Sequence, residues 1–210
     1  MKVGILGGGQ LGRMLLQAAA NYDFTTYVLE KDPNCPAAHL CHHFSVGDIL
    51  DYDTVYQFGK HLDALTIEIE AVNVDALTQL EKEGVKIYPT PAAIRTIKNK
   101  IAQKQFYADN AIPTSNFVIT HSANEIQKHL DLLPAVHKLA EGGYDGKGVQ
   151  VIEDEKSIAL GFNAPAVLEE KVKIVKELAL IVGMNAKGET VIFPPAEMVF
   201  DQVYNFLDYQ

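Results

Sequence analysis

With 210 residues, 48% of them hydrophobic and a mean hydropathy of zero, the chain is long enough to bury a core and fits one to two domains. A formal net charge of -9 and a pI near 5.2 exclude nucleic-acid binding by broad electrostatic attraction, so any phosphate must be held by a local set of donors. The longest apolar runs, such as 178–184, fall far short of the ~20 residues of a membrane span, and Met1 leads straight into a strand-like segment; a protein without signal peptide or anchor, at home in the cytoplasm, is expected.

Lys2 to Leu6 is a short apolar run ending in Gly7-Gly8-Gly9, after which Leu11, Met14, Leu15 and Ala18 recur at helical spacing. This predicts a strand, a tight turn and a helix. The β-branched and aromatic run Thr25 to Leu29 ends at Glu30, and Asp32-Pro33 stops it. Cys35, His39, Cys41, His42 and His43 come next, at spacings that match no standard zinc pattern, and a short helix with a flanking loop and free thiols is expected there. Strands at 43–46, 64–69 and 86–88 alternate with helices at about 51–60 and 74–83, so residues 1–90 predict a doubly wound α/β domain.

Pro89-Thr90-Pro91 breaks the alternation, and 92–110 reads as one helix carrying Arg95, Lys98, Lys100 and Lys104 within a linker at 91–112. The texture then changes to strand 116–120, helix 123–132, strand 135–138, a glycine-rich loop, strand 149–153, a helix near 154–161 and strand 166–170. Strands at 177–185 and 190–194 follow, with Lys187-Gly188 as the hairpin turn between them. An α+β portion at 113–176 and the incomplete start of a third at 177–210 are expected, since no final helix or strand closes a third layer.

Four segments carry candidate chemistry. Gly7 to Gly12 satisfies G-x-G-x-x-G between a strand and a helix, a backbone that admits an anion at a helix N-terminus; with Glu30 ending the next strand, a dinucleotide such as NAD is one candidate ligand and plain helix packing another. Lys138 ends a strand and is followed by Gly142-Gly143-Tyr144-Asp145-Gly146-Lys147-Gly148. A loop with four glycines between two antiparallel strands can fold over a triphosphate, its N–H groups and Lys147 neutralising charge while Lys138 approaches from the strand. Glu169 and Glu170 end an apolar strand where backbone could receive an adenine edge and a carboxylate a ribose, and Glu177 opens the next strand. Glu68 and Glu70 alternate at the carboxyl end of a predicted parallel strand, where open α/β sheets bind ligands, and could meet the amine or hydroxyls of a small substrate.

Taken together and in this order, GGGQLGRML at 7–15, IEIEAVN at 67–73, IAQKQF at 101–106 and GGYDGKG at 142–148 resemble one family over essentially the whole chain: N5-carboxyaminoimidazole ribonucleotide synthetase, within the ATP-grasp superfamily. The resemblance implies a Rossmann-like pre-ATP-grasp domain followed by an α+β ATP-grasp subdomain, with a third domain truncated. It also implies that ATP phosphorylates bicarbonate to carboxyphosphate and that the amine of 5-aminoimidazole ribonucleotide captures the carboxyl group, with Mg2+ bridging phosphates. ATP contacts fall by motif on Lys100 and Lys138, on Gly143, Tyr144, Asp145, Gly146, Lys147, Gly148 and Val149 as the lid, and on Glu169, Glu170, Lys171 and Val172 as the adenine hinge, with Glu177 on the ribose. Substrate contacts fall on Gly9, Gln10, Leu11, Glu70, Tyr144 and Asp145, so the first glycine turn is expected to serve the substrate and its phosphate, not a dinucleotide.

Three departures stand out. The family has glutamine directly after the glycine loop, where this chain has Val149 with Gln150 one place on; many members have histidine near position 200, where Phe200 stands; and the family's Mg2+-binding Glu and Asn and its bicarbonate-site basic residues are expected beyond residue 210. The fragment alone is expected to be inactive and the complete enzyme a homodimer. Alternatives are an ATP-grasp ligase with another acceptor, as in formate-using glycinamide ribonucleotide transformylase or biotin carboxylase, and an NAD-binding oxidoreductase.

Overall fold

The computed structural model describes residues 1–143 and 148–200, together with the backbone of 207–209. The N-terminal half is built on five parallel strands, β1 (Lys2–Leu6), β2 (Thr25–Glu30), β3 (His43–Val46), β4 (Ala64–Ile67) and β5 (Lys86–Tyr88), in the order β3-β2-β1-β4-β5. Helices α1 (Gln10–Ala19), α2 (Tyr52–Gly59), α3 (Val74–Lys82) and α4 (Pro91–Lys98) alternate with them or follow them. Side chains alternate across a strand, so Leu6 and Leu29 enter one core with Leu65, Leu77, Leu80 and Ile94, while Ile5 and Val28 enter the other with Leu16 and Cys35. Both faces of the sheet are therefore covered, as parallel strands require.

Strand order reverses between β1 and β4, and the residues leaving those two strands, Gly7-Gly8-Gly9 and Glu68, meet at that point. The expected strand at 64–69 ends at Ile67, and 68–70 form a bend. Helix α1 forms as its periodicity predicts, but its buried residues are Gly12 and Leu16, while Leu11 and Met14 are exposed. Gly12 packs directly over the carbonyl oxygen of Gly7, an approach a leucine side chain would block.

The single helix expected at 92–110 is two. Asn99, extended at φ -115 and ψ 112, ends α4 and caps α5 (Lys100–Asp109), its side chain accepting from the N–H groups of Ile101 and Ala102. Beyond it, β6 (Phe117–Thr120), β7 (Ala135–Leu139), β8 (Val149–Ile152) and β9 (Ala166–Glu170) form an antiparallel sheet ordered β6-β9-β7-β8. The helices expected at 123–132 and 154–161 are 3-10 helices, Ala123–Leu132 interrupted at His129 (φ -134, ψ 39) and Glu155–Leu160 started by an Asp154 capping box. Ile126 and Ile158 from these helices join Ala135, Ile152 and Leu168 in a third core.

By its internal contacts the chain divides into two units, Met1–Glu170 and Lys171–Gln210. In the second, the expected strand at 177–185 is split into β10 (Glu177–Ala179) and β11 (Val182–Met184). Strand β11 pairs with β12 (Thr190–Ile192) through a turn at Asn185–Gly188, where Gly188 has φ +81 and its N–H donates to the Asn185 carbonyl. Strand β10 pairs with β13 (Ala196–Phe200), which pairs with β14 (Leu207–Tyr209); these last two strands were not expected from the sequence.

Candidate functional site

The first glycine turn is rich in acceptors. Gly7 has φ +102 and donates its N–H to the Leu29 carbonyl, while the N–H of Gly8 donates to Glu30 Oε2 at 3.1 Å. The other oxygen of Glu30 accepts from the N–H groups of Lys31 and Asp32. Glu30 thus accepts three N–H groups of its own turn, a structural engagement of the acid that the dinucleotide alternative would place on a ribose. A Cβ on Gly7 or Gly9 would lie 2.8 Å or 2.5 Å from the Glu68 carboxylate oxygens, so that carboxylate rests against the turn at the N-terminus of α1, where the helix dipole favours it. Gly9 is the N-cap, and Gln10 and Leu11 are exposed in the first turn of α1. Glu68 is half-buried while Glu70 is exposed, so the two acids do not share an environment.

The cysteine and histidine segment packs beside this turn. Cys35 is buried under Gly8, on which a Cβ would collide with Cys35 Sγ, and burial pushes the Cys41 thiol up. The N–H of Thr26 donates to His42 Nδ1 at 3.1 Å. Among the described residues no three His, Cys, Asp or Glu side chains come together to hold a metal ion.

A hydrogen-bonded neck flanks the second glycine loop. Lys138 on β7 lies opposite Val149 on β8 and Val167 on β9, and the N–H of Leu139 donates to the Gly148 carbonyl at 2.9 Å. Gly148 has φ +83, and a Cβ there would lie 2.9 Å from Gly143 Cα, so the strands leaving the loop touch backbone to backbone. Tyr144, Asp145, Gly146 and Lys147 lie outside the described residues. The neck is tied to the front of α5: the Lys100 N–H donates to the Ala140 carbonyl at 2.8 Å, and Asn99 Nδ2 donates to Glu141 at 2.8 Å. A cavity of about 270 Å³ near this joint, lined by Asn73, Asp75, Arg95, Lys98 and Glu141 among others, has its charges already engaged, Arg95 with Asp75 and Lys98 with the Val72 carbonyl.

Behind the neck sits a nearly buried ionic cluster. Glu169, 7% exposed, pairs through one oxygen with Lys138 and through the other with Lys104 at 2.6 Å, and Ser115 Oγ donates to it at 3.2 Å. Burial pushes the Glu169 carboxyl up, but the hydrogen bonds from Lys104 and Lys138 outweigh it and hold the group below the ordinary carboxylate value. Glu170 turns outward, its side chain accepting from Asn116 Nδ2. Lys171, Val172 and Glu177 belong to the second unit, Glu177 lying opposite Met198 in the β10–β13 pair.

Sequence reasoning did not single out Lys104 or Ser115 as site residues. The available signal was that Lys104 stands four residues after Lys100, on the same face of one helix.

The comparisons with known proteins point one way. The model of the ribonucleotide synthetase preATP-grasp domain matches residues 1–98, and that of the ATP-grasp domain matches 105–207. Phosphoribosylaminoimidazole carboxylase of Vigna aconitifolia, a chloroplastic protein, is 37% identical over 93% of this chain and 36% of its own length; N5-carboxyaminoimidazole ribonucleotide synthase of Synechococcus elongatus is 32% identical over 91% and 50%. The N5-carboxyaminoimidazole ribonucleotide synthetase of Thermotoga maritima superposes with a TM-score of 0.86 at 34% identity, over 94% of this chain and 53% of its own. The Aspergillus clavatus synthase in complex with ADP and 5-aminoimidazole ribonucleotide does so with a TM-score of 0.83 at 31% identity, over 96% and 54%. The chain spans about half the length of these structures. Two successive domain matches and relatives aligned through both of them agree with the geometry of the strand lysine and the glycine neck: the chain belongs to the N5-carboxyaminoimidazole ribonucleotide synthetase family of the ATP-grasp superfamily.

Proposed function

We propose that this chain supplies nucleotide- and substrate-holding parts of an enzyme that uses ATP and bicarbonate to carboxylate the amine of 5-aminoimidazole ribonucleotide in purine synthesis. The observation that carries this reading is the neck of the second glycine loop, which holds Lys138 of β7 beside the strand that ends in Glu169 and Glu170. Lys100 and Lys138 neutralise phosphate charge, and the loop from Gly143 to Val149 covers the phosphates. Backbone at Glu169, Glu170, Lys171 and Val172 receives adenine, and Glu177 holds the ribose. A bicarbonate oxygen attacks the γ-phosphorus and ADP leaves; the amine then attacks the carbon of carboxyphosphate and inorganic phosphate leaves, steps that depend on charge neutralisation and positioning.

The substrate is assigned to the first glycine turn, at Gly9, Gln10 and Leu11, with Glu70, and with Tyr144 and Asp145 from the loop. With Gly8 engaged by Glu30 and the Glu68 carboxylate on the turn, this region favours the N–H groups of the amine over the phosphate. Mg2+ belongs to the reaction as a neutraliser of the ATP phosphates, but the described residues gather no metal-binding cluster, so no step is assigned to it. A homodimer in the cytoplasm completes the proposal; no helix among the described residues is long and apolar enough to cross a membrane. In the full-length protein, ATP hydrolysis should depend on both bicarbonate and 5-aminoimidazole ribonucleotide, and hydrolysis indifferent to either would sink the reading.

A further inference from the structure

The two lysines that share Glu169 are held very differently. Lys104 Nζ donates to Thr114 Oγ1 at 2.6 Å and Ser115 Oγ at 3.0 Å and pairs with Glu169 at 2.6 Å, and it lies 5.4 Å from the centre of the Phe117 ring. An ammonium has three N–H donors, and these three oxygens take them all. Its side chain is 11% exposed, against 33% for Lys138. Lys104 is therefore fixed on Glu169, whereas Lys138 can turn toward solvent at the mouth of the loop neck.

Were Lys138 the sole counter-ion of Glu169, its departure to a phosphate would strand a buried carboxylate, which is costly. We propose that Lys104 is a positioning residue for nucleotide binding: as the fixed counter-ion of Glu169, it keeps that carboxylate paired while Lys138 moves from Glu169 to the phosphates of ATP. The inference rests on the assignment of Lys138 to ATP given above. Removing the charge of Lys104 leaves Glu169 more dependent on Lys138, which is then drawn back from the phosphates.

Two measurements on the full-length protein separate this inference from that assignment. By calorimetry with ATP, Lys104→Gln should bind about tenfold more weakly than the unaltered protein, and Lys104→Gln combined with Glu169→Gln should regain most of the loss, because no stranded carboxylate remains. Unchanged affinity in Lys104→Gln, or a double variant as weak as Lys104→Gln alone, overturns the inference. A role confined to folding predicts no such rescue. The second measurement needs no ATP: acylation of Lys138 by an amine-reactive ester, read by peptide mass spectrometry, should slow in Lys104→Gln and quicken in Glu169→Gln. Faster labelling in Lys104→Gln marks simple loosening and overturns the inference. If the unaltered protein does not bind ATP, the nucleotide assignment fails, while the labelling order still judges the pairing. Should Lys104→Gln fail to fold, Glu169→Gln carries the test with Lys104 in place, and unchanged Lys138 labelling there overturns it.

Discussion

Strands β9 and β10 both carry apolar residues and meet opposite fates. In the first unit, Ala166, Val167 and Leu168 of β9 are each at most 1% exposed, because β9 runs between β6 and β7 and the 3-10 helices cover one face of that sheet. In the second unit, Leu178 of β10 is 64% exposed, and Val182 and Met184 of β11 are 53% and 74% exposed. Their sheets are only two and three strands wide. The difference shows that an apolar strand acquires a core from its neighbours and from the layer laid over it, not from its own composition.

The largest expected break in this comparison comes from truncating matched leucines. Leu168→Ala should cost ~2–5 kcal/mol in chemical denaturation, because it opens a cavity between two strands and a helix layer, whereas Leu178→Ala should stay within ~0.5 kcal/mol. Equal costs would mean that Leu178 is buried in the protein in solution.

Acid should act on the first unit through His137. His137, fully buried, accepts the Phe162 N–H at Nδ1, so Nε2 carries the proton toward Thr120 Oγ1, and burial holds its pKa below the ordinary value of 6.5. Its neutral form is the native one. Its contribution is therefore fully present above pH 6.5, where both states are neutral, and declines as pH falls below that value and the unfolded chain takes up a proton the native site resists. Stability of the His137→Gln protein should depend less on pH below 6.5 than that of the unaltered protein; identical slopes in denaturation titrations would remove His137 as a cause.

The smallest effect on stability is expected from the exposed strand edges. Met184→Glu should leave the unfolding free energy within ~0.5 kcal/mol of the starting protein while lowering binding of an apolar dye, since exposed apolar patches gather such probes. An undiminished dye signal would place the exposed apolar surface elsewhere.

Much of the fold was legible in the residues themselves. Short apolar and β-branched runs placed β1, β2, β3, β5 and β9 to within a residue, and glycine in short loops marked both turns that matter, because an apolar strand and a residue with positive φ leave local signatures. The break at Asn99 was not read from the sequence: Arg95, Lys98 and Lys104 suit a continuous helix, and the local Asn99 cap on α5 is accompanied by the anchoring of Lys100 and Asn99 to Ala140 and Glu141, far along the chain.

The candidate site divides in the same way. The sequence by itself determined that Lys138 precedes a glycine loop, that Glu169 ends an apolar strand and that Gly7 to Gly12 opens a helix. Only the tertiary structure decided that Lys104 shares Glu169 with Lys138, that Glu30 occupies the Gly8 N–H and that Glu68 rests against the glycine turn. The physical reason is range. Backbone propensity acts over a few neighbouring residues, while an ion pair between residues 65 positions apart in the chain exists only once β9 lies beside β7 and α5 packs against it.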